Sequence, residues 1–206
     1  MGTNGGILPA SARFGVVAAC ALACSAPPQV EAQAAAVART AGIARYLPLE
    51  DATVFSYETT TEPAGDRGLL VLEVRRPRPE AAELVVAGRA RRLAITNEGV
   101  AHVTGGFLLR EPFVVGATFH GDFGQVRVTR VNQEVTVPAG TLRDCIETSE
   151  EMTTDAGTKR TVTSYCAGVG IALRETSAEK DDERASERIA LKSWGKRFDA
   201  ARPAAP

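Results

Sequence analysis

A series of short runs with alternating apolar and polar residues most constrains the fold of this chain. Such runs recur from Tyr46 onward, and Gly, Asn, Asp or Pro separates most of them at intervals of about 8–15 residues. Alternation over residues 53–59 places Phe55 and Tyr57 on one strand face, so we expect Phe55 to be buried. The pattern predicts a single, mainly antiparallel all-β domain, a curved sheet or half-barrel with little helix. Further strands are predicted at residues 69–75, 83–86, 93–96, 100–104, 113–119, 125–137, 141–152, 160–165 and 188–194.

The length of 206 residues leaves room for one such domain with extensions at both ends. We predict four segments and, within the domain, one solvated loop over the charged run 176–187. The segments are a signal peptide at 1–23, an Ala/Pro-rich tether at 24–45, the β domain at 46–198 and a disordered tail at 199–206.

The first residues are typical of a secretory signal. Arg13 is followed by the uncharged, mostly apolar run 14–23, which is too short to span a bilayer as a helix. Cys24 ends this run in a sequence that resembles a bacterial lipobox, and we predict it as the lipidated residue. Cys20 is the second choice. The residues before it match the lipobox consensus better, but the apolar run between Arg13 and Cys20 is short. A plain cleaved signal, or a short N-terminal anchor, is the alternative.

Composition and motifs argue against several other classes. A formal net charge of −1 disfavours a nucleic-acid binder, and no apolar run is long enough to predict a bundle of membrane-spanning helices. The only histidines, His102 and His120, lack further ligands at metal-site spacing, so no metal or cofactor is predicted. The sequence has no G-x-S-x-G motif, no catalytic residue is assigned, and Glu150 and Glu151 are expected to face solvent. We therefore predict that the protein is not an enzyme.

Two groups of arginines could form a basic face if neighbouring strands bring them together. They are Arg75, Arg76 and Arg78, and Arg89, Arg91 and Arg92. Such a face would suit anionic headgroups or phosphates. The simpler interpretation is a solvated strand face that Glu80 and Glu83 partly neutralise.

A disulfide between Cys145 and Cys166 is predicted from strand register. A four-residue loop at 154–157 makes opposite residues sum to 311, which sets Cys145 against Cys166 and Ile146 against Tyr165. A loop shorter by one residue would break the apolar face that this register creates. Secretion would place both thiols in an oxidising compartment, where such pairs tend to be bonded.

Two stretches resemble a group of uncharacterised bacterial lipoproteins. The opening Tyr46-Leu47-Pro48-Leu49 with Phe55-Ser56-Tyr57 resembles the group's Y-x-P-L … W-x-Y, although Phe55 replaces the usual Trp. The closing Gly140-Thr141-Leu142-Arg143-Asp144-Cys145 and Tyr165-Cys166-Ala167-Gly168-Val169-Gly170-Ile171 resembles G-T-F-x-D-C … Y-x-P-G-V-G, although Ala167 replaces the usual Pro. At the level of fold, the β-rich organisation is similar to the half-barrel of lipoprotein-localisation carriers.

The resemblance and the lipobox together imply a lipoprotein of the outer membrane that faces the periplasm, since no Asp follows Cys24. We predict a non-enzymatic binding or envelope-structural module, held at the membrane by its N-terminal lipid. Its partners would be a lipid or an envelope protein and not nucleic acid. The alternative is a carrier or accessory chaperone that holds an acyl chain inside the curved sheet.

Overall fold

Twelve antiparallel strands form one strongly curved, nearly closed sheet, so the predicted all-β fold class is confirmed. A computed structural model describes residues 42–155, 157–180 and 183–197 of the chain. A short helix over residues 42–46 precedes the strands. The strands are β1 (Thr53–Glu62), β2 (Arg67–Arg78), β3 (Ala81–Val86), β4 (Arg89–Ile95), β5 (Gly99–His102), β6 (Phe107–Arg110), β7 (Thr118–His120), β8 (Gln125–Val137), β9 (Gly140–Thr154), β10 (Gly157–Cys166), β11 (Gly170–Lys180) and β12 (Glu183–Lys196).

The sheet consists of two six-stranded meanders, β1–β6 and β7–β12. They are joined by pairing between the first strand of the chain and the last. The spatial order is β6-β5-β4-β3-β2-β1-β12-β11-β10-β9-β8-β7, so β1 pairs with β12 in the middle of the sheet. Curvature then brings the two edge strands, β6 and β7, towards each other. The chain begins and ends its folded part on neighbouring strands.

The contact between these edges, here called the seam, is made mainly by side chains and turns. The rings of Phe107 and Phe119 meet edge to face with centroids 6.4 Å apart. Gly106 packs so closely against the backbone of Gly121 that a Cβ at position 106 would overlap the Gly121 carbonyl oxygen. Tyr165 crosses the interior and donates a hydrogen bond to the Leu108 carbonyl at 2.7 Å. The seam is therefore tight, although the β6–β7 pair is absent from the strand ladders of the described sheet.

The inner face of the sheet holds the core, and one end of the sheet is closed by the N-terminal segment. Ile43 of the short helix is 2% exposed and packs with Leu47 and Leu49 in the main core cluster. We call this the plugged end and the opposite end of the sheet the open end. Phe55 is 6% exposed, which confirms the predicted burial. Other core side chains include Tyr57, Val74, Leu93, Val100, Leu109, Ile146, Tyr165 and Leu191.

Three local predictions differ from the structure. The charged run 176–187 is not a loop: its described residues continue β11 and β12 beyond the apolar core, and most of them are exposed. Of the predicted strand 113–119, only β7 forms, because Gly116 adopts φ +91° and turns the chain. The packed part of the chain includes Ile43, three residues before the predicted boundary at Tyr46.

Several predictions concern parts of the chain outside the described residues. They are the signal peptide at 1–23, the lipidation candidates Cys20 and Cys24, most of the 24–45 tether and the tail at 199–206.

Candidate functional site

The two stretches that resemble the lipoprotein group meet at the plugged end. The Tyr46 hydroxyl donates a hydrogen bond to Oδ1 of Asp144 at 2.8 Å, and Arg45 forms an ion pair with the same carboxylate. Burial, followed by the hydrogen bond to Asp144, raises the pKa of Tyr46. Asp144 itself has φ 54°, a conformation that asparagine and aspartate tolerate better than most residues. The opening and closing stretches therefore hold the N-terminal segment on the sheet.

The glycines of the closing stretch shape the turn that receives this segment. Gly168 has φ +71° and Gly170 has φ +102°, a region that side chains other than glycine rarely adopt. The Gly168 amide donates a hydrogen bond to the Arg45 carbonyl at 2.7 Å, and Gly170 faces Pro48. Both glycines serve the architecture of the plugged end.

The structure contains the disulfide between Cys145 and Cys166, also at the plugged end. Their Cα atoms are 4.0 Å apart, and both residues are fully buried. The observed ladder pairs Gly157 with Thr154 and Tyr165 with Ile146, which is the predicted register.

The open end contains a cleft of about 980 Å³ between the two meanders, and we regard it as the candidate functional site. The first meander contributes β4 and the β5–β6 turn, and the second contributes the β7–β8 turn and strands β10–β12. Its charged lining comprises four permanent cations and two carboxylates, with His102 between the two meanders. The charged residues are Arg91, Arg92, Lys159, Arg174, Asp122 and Glu187.

Two of these cations have no counter-ion among the described residues. Arg174 has no carboxylate within 4.0 Å, and its buried Nε has no hydrogen-bond acceptor. Lys159 has no ion pair either, but its Nζ lies 4.3 Å from the centroid of the Phe123 ring, a cation–π distance. By contrast, Arg92 pairs with Glu83 at 3.4 Å.

A pair of hydroxyls lies between these two cations. Thr161 of β10 is directly opposite Thr176 of β11, and their Oγ1 atoms are 3.0 Å apart. Arg174 is opposite Thr163, and Lys159 is two residues from Thr161 in the other direction. The alternation of strands places all of these side chains on the inner face.

Asp122 links the two meanders at the rim of the cleft. Its Oδ2 is 3.9 Å from Nη1 of Arg91, and its Oδ1 is 3.1 Å from Nε2 of His102. The contact between Asp122 and His102 does not have hydrogen-bond geometry, so the buried Nε2 atom of His102 is without a hydrogen-bond partner. Burial lowers the pKa of His102; Arg91 and Arg174 lower it further, while Asp122 and Glu150 oppose the shift. Folding therefore disfavours protonation of the His102 ring.

Glu150 fixes the β7–β8 turn from beneath, and the expectation that it faces solvent is wrong. It is only 7% exposed, and its Oε1 accepts hydrogen bonds from the backbone amides of Phe123 and Gly124 at 2.7 and 2.9 Å. Its neighbour Glu151 is exposed. The alternation of side chains along β9 places Glu150 on the inner face of the sheet. This alternation was the sequence signal that could have predicted its burial.

The predicted arginine groups do not form one basic face. Arg76 donates hydrogen bonds to the carbonyls of Leu49 and Pro79, which is a structural role. Arg75 and Arg92 lie on either side of Glu83, which neutralises Arg92 as the simpler interpretation expected.

The described residues contain no cluster of three or more metal-ligating side chains. His102 contacts Asp122, while His120 is exposed on β7. No helix in the described ranges has the length and apolarity needed to cross a membrane.

Comparison with known protein families finds no match, and comparison with curated sequences finds none. Two solved structures are similar. One is a protein of Bacteroides fragilis, described as exported and as having a YmcC-like fold: it is 13% identical, covers 74% of this chain and 99% of its own, and has a TM-score of 0.48. The other, from Parabacteroides distasonis and described as a lipoprotein, is 12% identical, covers 73% and 98%, and has a TM-score of 0.45.

Proposed function

We propose that this protein is an exported lipoprotein whose β domain is a non-enzymatic binding module of the bacterial cell envelope. A lipid on Cys24, with Cys20 as the second choice, would hold it at the outer membrane on the periplasmic side. The site that takes the ligand is the cleft at the open end.

The observation that carries this proposal is the opposite placement of the chain entry and the cleft. The N-terminal segment enters at the plugged end, beside Cys166, whereas Lys159 lines the cleft at the other end of the same strand. Seven residues of β10 separate these two positions, which corresponds to about 23 Å. A lipid attached before the domain would therefore be joined to it at the plugged end and would not obstruct the cleft.

The tether gives the domain reach. Seventeen residues, 25–41, lie between Cys24 and the described chain, and a chain of that length spans at most about 60 Å when fully extended. That length permits contact with a partner or ligand away from the membrane surface.

The lining of the cleft favours a polar ligand over the alternative of an acyl-chain carrier. Three inward-facing cations, Arg91, Lys159 and Arg174, and two carboxylates face this space, whereas the apolar part of the inner face is filled by side chains such as Tyr57, Tyr165 and Leu191. A buried acyl chain gains free energy by contact with apolar surface, which charged groups do not offer.

Metabolic labelling with a palmitate analogue tests the anchor. We expect the wild type to be labelled, Cys24→Ser to lose the label and Cys20→Ser to keep it. The reverse pattern would move the site to Cys20, and an unlabelled wild type would refute the lipoprotein proposal. Native mass spectrometry of the purified protein tests the alternative, because a co-purifying acyl lipid, beyond the covalent anchor, would favour the carrier.

A further inference from the structure

Among the described residues, Arg174 and His102 are the two with a buried side-chain nitrogen or oxygen that has no hydrogen-bond partner. Nine of the 17 described arginines form ion pairs within 4.0 Å: Arg45, Arg75, Arg91, Arg92, Arg110, Arg130, Arg143, Arg188 and Arg197. Arg174 has none, and its Nε is buried without an acceptor. A buried donor that lacks a partner costs free energy, which an incoming acceptor would recover.

The second unpaired cation points to the same place. Lys159 and Thr163 are four residues apart on β10, about 13 Å, and Thr163 is opposite Arg174. Thr161 lies midway. Both long side chains can therefore reach a group bound above the Thr161–Thr176 pair, and the Phe123 ring holds the Lys159 ammonium on that side.

The hydroxyl pair adds a donor. In the contact between Thr161 and Thr176, one hydroxyl hydrogen is used and the other remains to donate to a ligand. A guanidinium, an ammonium and a hydroxyl around one point match the oxygens of a phosphate group.

The carboxylate of Glu187 defines what accompanies that phosphate. Glu187 is opposite Thr176 on β12 and lines the cleft, and no described cation lies within 4.0 Å of its carboxylate. It repels a bare anion but accepts hydrogen bonds from hydroxyl groups. The cleft volume of about 980 Å³ also leaves space for more than a phosphate ion.

We propose that the cleft binds a phosphate ester that bears hydroxyl groups. Arg174, Lys159 and the Thr161–Thr176 pair hold the phosphate oxygens, and Glu187 accepts from the hydroxyls. A soluble sugar phosphate and a glycerol-phosphate lipid headgroup share this chemistry. The inference rests on the proposed function, since it names the ligand class of the same site.

Isothermal titration of the lipidated full chain in mild detergent tests it with four probes. Glucose 6-phosphate represents the soluble source, and dihexanoyl phosphatidylglycerol represents the lipid source. Inorganic phosphate and dihexanoyl phosphatidylcholine are the comparisons. We expect saturable binding of at least one hydroxylated ester, with a Kd on the order of 1 mM or lower, and weaker binding of both comparisons. The tighter of the two esters identifies the source.

The variants assign the binding to the cleft. Arg174→Gln and Lys159→Gln should each weaken ester binding about tenfold or more, because each removes a charged hydrogen-bond donor. Arg160→Gln is the matched control, since Arg160 is next to Lys159 but on the other face of β10, and it should change binding less than about twofold. Glu187→Gln should reduce the ratio of the Kd for inorganic phosphate to the Kd for the ester. Lys159 is exposed, so its variant keeps the test valid if the Arg174 variant does not fold.

Absence of saturable ester binding, or equal loss in Arg160→Gln and Lys159→Gln, would overturn the inference. A palmitate label on Cys24 together with either result would leave the lipoprotein proposal standing and remove only the ligand class.

Discussion

The plugged and open ends of the sheet share strands but differ in how their polar groups are satisfied. At the plugged end, Asp144 has both Arg45 and Tyr46 as partners, and the disulfide and apolar side chains fill the space around them. At the open end, Arg174 and Lys159 face a cleft without counter-ions. This difference indicates that stability is concentrated at one end, while the other keeps unpaired groups that a ligand can use. Four predictions test this separation.

Truncation of the core aromatic near the plugged end should have the largest effect. Phe55→Ala removes a ring that stacks on Tyr57 at 6.2 Å, and it should lower the free energy of unfolding by about 3–5 kcal/mol. Leu69→Ala, at a site that is 61% exposed, is the control and should cost no more than about 0.5 kcal/mol. Urea unfolding measures the free energy of unfolding of both variants. Similar losses in the two would show that Phe55 contributes no more to the core than an exposed side chain does.

Removal of the disulfide should follow in size. The Cys145→Ser/Cys166→Ser double variant opens a loop of 21-residue separation and should lose about 3 kcal/mol of stability while ester binding to the remaining folded protein is unchanged. Thr153→Ala/Thr158→Ala removes an exposed cross-strand pair from the same hairpin and is the control. Two titratable thiols in the denatured, unreduced domain expressed in the periplasm without residues 1–24 would contradict the bond.

Loss of the Glu150 charge should produce a smaller effect at the open end. Glu150→Gln weakens the hydrogen bonds to the Phe123 and Gly124 amides, and we expect a loss of about 1–3 kcal/mol. It should also weaken ester binding, because Phe123 positions Lys159. The exposed neighbour offers Glu151→Gln as the control. Unchanged ester binding in Glu150→Gln would show that the β7–β8 turn does not contribute to the ligand site.

The pH dependence carried by His102 should be the smallest effect. Its pKa is lowered in the folded state, so the unfolded chain binds the proton more readily and stability falls as the pH drops below about 6.5. His102→Asn should reduce this acid-dependent loss, measured by urea unfolding across that range. His120→Asn, at an exposed position, should leave the wild-type slope intact. An identical dependence of the free energy of unfolding on pH in all three proteins would show that His102 does not contribute to the acid-dependent loss of stability.

The sequence predicted the fold where alternation coincided with burial. The register of β9 and β10 followed from one apolar face, and it placed Cys145 opposite Cys166 correctly. Strand β11 and the first part of β12 escaped prediction, because the charged and small polar residues of 176–187 give no apolar period.

The candidate site could not be predicted because it exists only after the sheet curves. Arg174 and Lys159 come from different strands, and Arg91, His102 and Asp122 join them only when the two meanders meet at the seam. Alternation could place Lys159, Thr161 and Thr163 on one face, but it carries no information on which distant strands face them across the interior.

The pairing of β1 with β12 has a consequence for the order in which the chain can fold. An ion pair on this boundary, between Lys192 and Glu58 at 2.9 Å, joins residues that are 134 positions apart. A chain that emerges from a ribosome or a translocation channel with its N-terminus first can form the hairpins of the first meander early. Strand β1 has to wait for the last strand before its free edge is paired, and such distant contacts form slowly. The sheet is therefore completed only after nearly the whole chain has emerged.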